Sequence, residues 1–229
     1  KYVKQNINKA IYYLKLAVNQ KDKDAQGLYG LILFEGKYIK QDIEKAVYYF
    51  TLSGNQDQSA SQIFLGLLYL QDNFIYWNPT KGIDYFMRAS SNGNILASFV
   101  VGFFYHEGKY IQRNINKAIH YYKEASSFNN QYAKNNLGII YKYGFGEEIQ
   151  PQIGISIVYF DESIKKSNNA ISMYNLAHIF IYQIKTKEKL DESIDLLIKS
   201  SLQFFNHSTN LLCIALIIKF GFDLNLIYS

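Results

Sequence analysis

The sequence predicts an all-α fold, a solenoid of stacked helix hairpins, and three observations carry that prediction. The stretch "GKYIKQDIEKAVYYF" at 36–50 returns almost letter for letter as "GKYIQRNINKAIHYY" at 108–122, 72 residues later. Two small-residue markers recur at one period. The first falls at Ala10, Ala46, Gly82, Ala118, Ser156 and Ser193, spaced 36, 36, 36, 38 and 37. The second falls at Gly30, Gly66, Gly102, Gly138, Ala177 and Ala215, spaced 36, 36, 36, 39 and 38. Periods of this size mark stacked supersecondary units. The third observation is composition: 2 prolines in 229 residues, with 48% apolar and 19% charged residues, describe an ordered chain that tolerates long helical stretches.

Each unit reads as two helices. The first has the form Ala-x-x-x-Leu-Gly-x-x-Tyr, as in Ala97, Val101, Gly102, Tyr105 and in Ala133, Leu137, Gly138, Tyr141. Steps of four put Ala, Leu or Val, and Tyr on one face, and the small residue beside them admits a neighbouring helix. The second has the form Asn/Asp-x-x-Lys-Ala-x-x-Tyr/Phe-x-x-x-Ala/Ser, as in Asp42, Ala46, Tyr49, Ser53 and in Asn114, Ala118, Tyr121, Ala125. Asn6, Asp42, Asn78 and Asn114 stand where an N-cap is needed, and Pro79 takes the first helical position, where no amide donor is required.

The connections follow. Gly36, Gly108 and Gly144 are expected just past the first helix, in left-handed geometry, and Gly54 and Gly93 are expected to close the second. "NFIYWN" at 73–78 replaces the Gly-Lys-Tyr-Ile loop in the third unit. The extra residues of the fifth fall in "GFGEEIQPQ", 144–152, and "YQIKTKEKLDES", 182–193, reads as a degenerate polar loop opening a capping region. The whole of 1–229 is thus expected to be a single solenoid of about six units of 36–39 residues. The match of "KYVKQN" at the start to "KYIKQD" at 37–42 places the first residue inside a repeat, as expected of a fragment of a longer chain.

Bulk properties exclude several functions. The net charge of +5 comes from lysines spread evenly, without the basic stripe of a nucleic-acid reader. The single cysteine, Cys213, excludes an internal disulfide and a Cys-rich zinc site, and "LLCIAL" around it reads as a buried helix face. No signal peptide and no run of membrane-spanning length is present, so a cytoplasmic protein without membrane insertion is expected. His106, His120, His178 and His207 form no metal motif, and there is no phosphate-binding glycine loop and no nucleophile elbow. Glu147 and Glu148 are adjacent, which is not the arrangement of a glycosidase pair. No enzyme, cofactor or metal is expected.

These motifs resemble the Sel1-like repeat, a longer variant of the tetratricopeptide class, over residues 1–220 and most closely over 25–143. The resemblance implies a right-handed α–α superhelix with a concave and a convex side, and scaffold or adaptor work with a protein or peptide partner. Two departures touch packing: Tyr38 and Tyr110 stand where the repeat usually has a second loop glycine, and Tyr or Phe stands for a Trp in the second helix. The Asn, Ile, Lys and Tyr-rich style points to an AT-rich genome, a protist first and a bacterium second. Some protist proteins of this type join the repeats to a kinase, so a regulatory or architectural region of a larger protein is the alternative.

In this class ligands contact outward positions of the first helix, two, six and nine residues past its opening Ala or Ser. Those positions are Ile63, Leu67 and Leu70; Phe99, Phe103 and His106; Asn135, Ile139 and Lys142; Tyr174, His178 and Ile181. Phe99 and Phe103 fit the core as well as the wall. His106 and His178 are expected at the surface, and Asn135 and Lys142 are the candidates expected to be best exposed, with Asn135 pinning a partner's backbone. Phe220, Phe222, Leu224, Leu226 and Ile227 near the C-terminus lack a partner unit and suit end-to-end or C-terminal self-association.

Overall fold

The computed structural model describes residues 6–203 and 205–220, so the register of residues 1–5 and the apolar stretch after Phe220 lie outside the described residues. The described residues form twelve α-helices and one π-helical turn, with no strand beyond an isolated bridge between Phe145 and Ile149. Contacts group into two compact units, Lys1–Ala118 and Ile119–Ser229.

Unit 1 holds α1 (Ile7–Asn19), α2 (Lys23–Glu35), α3 (Ile43–Gly54), α4 (Ser59–Leu70), α5 (Pro79–Ser91), α6 (Ile95–Glu107) and the start of α7 (Ile115–Ser127). From α1 to α6 each helix packs on the next in the chain. Unit 2 holds the rest of α7, then α8 (Gln131–Tyr143), α9 (Ile153–Ser167), α10 (Ala170–Ile179), the π-turn Phe180–Ile184, α11 (Lys187–Ser201) and α12 (Asn206–Phe220). From α8 to α12 neighbours again pack in order, and the even-numbered helices α8, α10 and α12 also touch successively. Even-numbered helices are first helices of a repeat and odd-numbered ones are second helices.

The capping residues behave as their chemistry requires. The side chains of Asn6, Asp42, Asn78 and Asn114 accept from the amides of Lys9, Lys45, Lys81 and Lys117. The first helices carry an equivalent series, missed in the sequence: Asp22, Gln58, Asn94, Asn130 and Asn169 accept from Ala25, Ser61, Ala97, Ala133 and Ser172. The backbone amide of each second-helix cap returns to the end of the first helix, Asp42 to Leu33, Asn78 to Tyr69, Asn114 to Tyr105 and Gln152 to Tyr141. The fifth-unit insertion therefore bulges between two fixed points without shifting the hairpin. "YQIKTKEKLDES" is mostly helical: the π-turn takes its start and α11 begins at Lys187.

The glycine at the crossing of the two helices is required by contact. A Cβ on Gly30 would lie 3.0 Å from the Phe50 ring, on Gly66 2.6 Å from Phe86, and on Gly138 2.5 Å from Phe160. Those rings are fully buried. Gly36 and Gly108 close their helices in left-handed geometry, with φ of 68° and 72°, whereas Gly144, expected to do the same, has a positive φ of 70° with an extended ψ of −171°, a conformation that again needs glycine but is not the left-handed cap. Gly54 does not close its helix by that route; it is the last residue of α3 and buried, and the left-handed position after the second helix is held by Lys21, Asp57, Gly93, Asn129 and Asn168.

Consecutive hairpins are joined by buried hydroxyl pairs: Ser53–Ser61 at 2.8 Å, Ser90–Ser98 at 2.9 Å, Ser163–Ser172 at 2.9 Å and Ser200–Ser208 at 2.6 Å. Small residues let the helices approach there, and each hydroxyl answers the desolvation of the other. Ser90 and Ser98 stand one residue later in the repeat than the other pairs, and the three pairs in step, with Ser61 and Ser172 five residues before Gly66 and Ala177, set the register of α12. Ser208 corresponds to Ser172, so the residue matching Ala177 is Cys213, not Ala215. Cys213 is exposed, contrary to its expected place in the core, because the face it occupies is the one a following second helix covers in the other repeats.

Candidate functional site

In unit 1 the outward row lies on α4 and α6. Leu67 is 54% exposed and Phe103 44% exposed; Ile63, Leu70, Phe99 and His106 are half-buried. The two phenylalanines therefore divide the alternatives: Phe99 leans toward the core and Phe103 toward solvent. Burial pushes the His106 imidazole below its ordinary pKa, with Glu107 pulling it up and Arg113 pushing it down. The Arg113 guanidinium donates to the His106 carbonyl at 3.0 Å. A second apolar patch in this unit, not expected from the sequence, is the loop replacing Gly-Lys-Tyr-Ile. There Ile75 and Trp77 stand exposed, while the Trp77 indole N–H donates to Asp72 at 3.1 Å.

In unit 2 the row behaves differently. Asn135 and Lys142, expected to be the most exposed candidates, are 7% and 2% exposed. They face the next first helix: Ser172 Oγ donates to Asn135 Oδ1 at 3.2 Å, and Lys142 Nζ donates to Asn175 Oδ1 at 3.4 Å. The physical reason is the close approach of α8 and α10, which closes over the polar side chains between them. Burial pushes the Lys142 amine down to about 8. Ile139 is half-buried and Ile181 buried, each packed into the apolar cores of this unit.

Tyr174 and His178 keep an open side. With Tyr182, His207, Asn210, Leu211 and Ile214 they line a cleft of about 400 Å³. Its walls are rings in contact: Tyr174 meets Phe205 at 5.5 Å and His207 at 6.4 Å, and His178 meets Tyr182 at 4.6 Å. Burial lowers the His178 pKa and the nearby Lys142 charge lowers it further, against a smaller opposing pull from a backbone hydrogen bond. Asn210 and Ile214 sit two and six residues past Ser208, the same outward positions that Tyr174 and His178 hold past Ser172. The sequence missed them because α12 was set two residues out of register; the Ser200 and Ser208 spacing carries the signal that corrects it. Such a cleft can hold an apolar or aromatic side chain and offer imidazole and amide groups to a backbone. Among the described residues no cluster of His, Cys, Asp and Glu could hold a metal ion, and no helix is long and apolar enough to cross a membrane.

The model of the Sel1 repeat matches residues 1–22, 23–58, 59–94, 95–127 and 131–167. Among solved structures, a Sel1 repeat protein from Oxalobacter formigenes superposes with a TM-score of 0.69 at 22% identity, covering 88% of this chain and 81% of that one. The c5321 protective antigen of uropathogenic Escherichia coli strains, which displays an SLR fold, gives 0.60 at 18% identity, covering 94% of this chain and 53% of that one. No curated protein matches the chain significantly. At these identities the structures speak for the fold alone, an all-helical solenoid of paired helices. With five consecutive repeats matched, each falling on the helices described above, the chain belongs to the Sel1 repeat family.

Proposed function

We propose that this chain is a protein-interaction scaffold that receives a segment of a protein or peptide partner along the outward row of its first helices, the concave side in this family's fold. Sel1 repeat proteins act in general as interaction scaffolds and the repeat is a non-catalytic fold. One observation carries the finer reading: the outward positions of α10 and α12 form one ring-lined cleft, while Leu67 and Phe103 hold the same position on α4 and α6 and stay open to solvent. Rigid aromatic anchors beside a few orienting polar groups suit an extended segment with apolar side chains. Asn135 and Lys142 serve this row from beneath, by fixing α8 against α10. The exposed Ile75–Trp77 loop favours a second reading, an architectural or regulatory region of a larger assembly held by its loops.

Selection of random peptides on the full chain tests the first reading. Peptides with apolar or aromatic anchors should be enriched, and the combined Leu67→Glu, Phe103→Glu and Ile214→Glu variant should bind them about tenfold more weakly, a loss near 1.4 kcal/mol, with an unchanged unfolding midpoint. Equal binding to that variant, or no enrichment over bare support, overturns it.

A further inference from the structure

Four residues before the crossing residue, the first helices carry a buried side chain: Gln26, Gln62, Ser98, Lys134 and Met173. Where that side chain is a donor, the chain answers it. Gln62 Nε2 donates to the Gly54 carbonyl at 2.8 Å, the Ser98 hydroxyl to the Asn94 carbonyl at 3.2 Å, and Lys134 Nζ to the Glu162 carboxylate at 2.9 Å. Met173 has nothing to satisfy. Gln26 is the exception. It is 3% exposed, and its Oε1 accepts from Gln56 at 2.8 Å, but its Nε2 donates to no described residue. A buried donor without an acceptor is a standing cost that a ligand can remove.

Gln26 lines a groove of about 520 Å³ between the C-terminal end of α1 and α3, with Val18, Lys21, Tyr48, Tyr49 and Leu52 among its walls. Described residues alone enclose it, and α2 follows α1 directly at this end. In other repeats the second helix supplies a polar side chain at the position of Leu52, six residues past its small residue. There Glu162 meets Lys134, and the Arg88 guanidinium donates to the Gly54 carbonyl at 3.1 Å and to Asn55 Oδ1 at 3.4 Å. Leu52 has no polar group to bring. The charge at the rim changes with it. The left-handed position that goes with Arg88 is Asp57; the one that goes with Leu52 is Lys21. Among the described residues no carboxylate lines this groove, so it holds a cation and a buried donor without an acid.

We propose that this groove receives an acidic side chain of a protein partner, its carboxylate held by Gln26 Nε2 and Lys21 Nζ and its stem laid on Leu52 and Tyr49. The occupant is an acid because Glu162 brings one to Lys134 at the corresponding place, and because the groove offers donors and positive charge with no anion of its own. A cation like that of Arg88 would meet Lys21 where Arg88 has Asp57. The groove is a contact separate from the outward row on the first helices, and its failure leaves the proposed scaffold row untouched.

Selection of random peptides on the full chain carrying Leu67→Glu, Phe103→Glu and Ile214→Glu, in which the row is blocked, tests it. The selected peptides should carry Glu or Asp, and exchanging that acid for its amide should weaken binding about tenfold. Lys21→Asp, which installs the residue of the next repeat at an exposed position, should weaken the unexchanged peptide by as much or more. In nitrogen-15 spectra the Gln26 side-chain amide should shift as the peptide binds. Leu52→Glu should shift the same resonance without peptide and compete with it from within the chain. Should Leu52→Glu fail to fold, the Lys21→Asp and Gln26 readouts still decide. Selected peptides without acids, binding indifferent to Lys21→Asp, or an unmoved Gln26 resonance overturns the proposal, whatever the unblocked chain selects through its row.

Discussion

The hairpin α4/α5 in unit 1 and the hairpin α10/α11 in unit 2 solve one packing problem with different residues. In the first, bare backbone at Gly66 lets the Phe86 ring lie where a Cβ would come within 2.6 Å, with the Gly82 carbonyl behind it at 3.1 Å. In the second, Ala177 supplies a methyl group and Leu197 supplies less bulk. Both crossings are dry, with Phe86 1% and Leu197 0% exposed. The repeat holds the volume at the crossing rather than the residues, as a close-packed interior requires.

Exchanging the two solutions should give the largest effects. Leu197→Phe presses a ring against the Ala177 methyl and should cost about 2–3 kcal/mol by overpacking. Adding Ala177→Gly restores the room at about 1 kcal/mol of helix propensity, so the double variant should be more stable than Leu197→Phe alone. In α4/α5, Gly66→Ala should be destabilising by about 2 kcal/mol despite the better helix former, and Phe86→Leu should recover part of the loss. Urea unfolding of both cycles measures the coupling. Strictly additive effects would mean that steric volume does not link the positions.

The units also differ in how they bury polar groups. In unit 1 Gln62 is fully buried but neutral and satisfied, donating to the Gly54 carbonyl at 2.8 Å and accepting from Asn92 at 3.1 Å. In unit 2 Lys142 is almost as buried, has a charge, and reaches Asn175 only at 3.4 Å. Its amine is pushed down to about 8, so the folded state gives up its proton before the unfolded state does. Between about pH 8 and pH 10 the unfolded chain holds the extra proton, and stability rises with pH through that window; below it the full penalty applies. Lys142→Met keeps the stem and removes the charge. It should raise stability at pH 7 by about 1–3 kcal/mol and flatten the rise between pH 8 and 10. A variant less stable than wild type at pH 7 would show that the Asn175 contact outweighs the desolvation.

What was legible from the letters alone was local. Asn6, Asp42, Asn78 and Asn114 cap helices through amides three residues away, so spacing sufficed to find them. The solenoid of paired helices followed from the period, because no single hairpin can hide its apolar stripe. Burial was not legible at Asn135 and Lys142, since it depends on how closely α10 comes to α8, and polarity alone suggests exposure. Cys213 was misplaced for a different reason. "LLCIAL" offers two small residues two apart, and only the Ser200–Ser208 pair, a contact between consecutive hairpins, decides which one faces the next helix. Of the partner row, the outward spacing on α10 was legible, but its continuation at Asn210 and Ile214 was lost with that register.

The smallest effect lies in the twin loops that open the repeat. "GKYIKQD" and "GKYIQRN" differ at three positions, yet Tyr110 takes a φ of 69° while Tyr38 is not left-handed. Both stand where the family usually has glycine. A left-handed L-residue costs about 1–2 kcal/mol, so Tyr110→Gly relieves strain. Against that stand the greater freedom of glycine in the unfolded chain and the loss of the Tyr110 ring beneath Lys109, whose amine lies 4.8 Å from its centroid. The balance should leave Tyr110→Gly more stable by about 0.5 kcal/mol, whereas Tyr38→Gly, with no strain to relieve, should be less stable by about 0.5–1 kcal/mol. Opposite signs in thermal unfolding of the two single variants would assign the difference to backbone conformation; equal signs would assign it to the tyrosine side chains, which in both loops rest near a lysine.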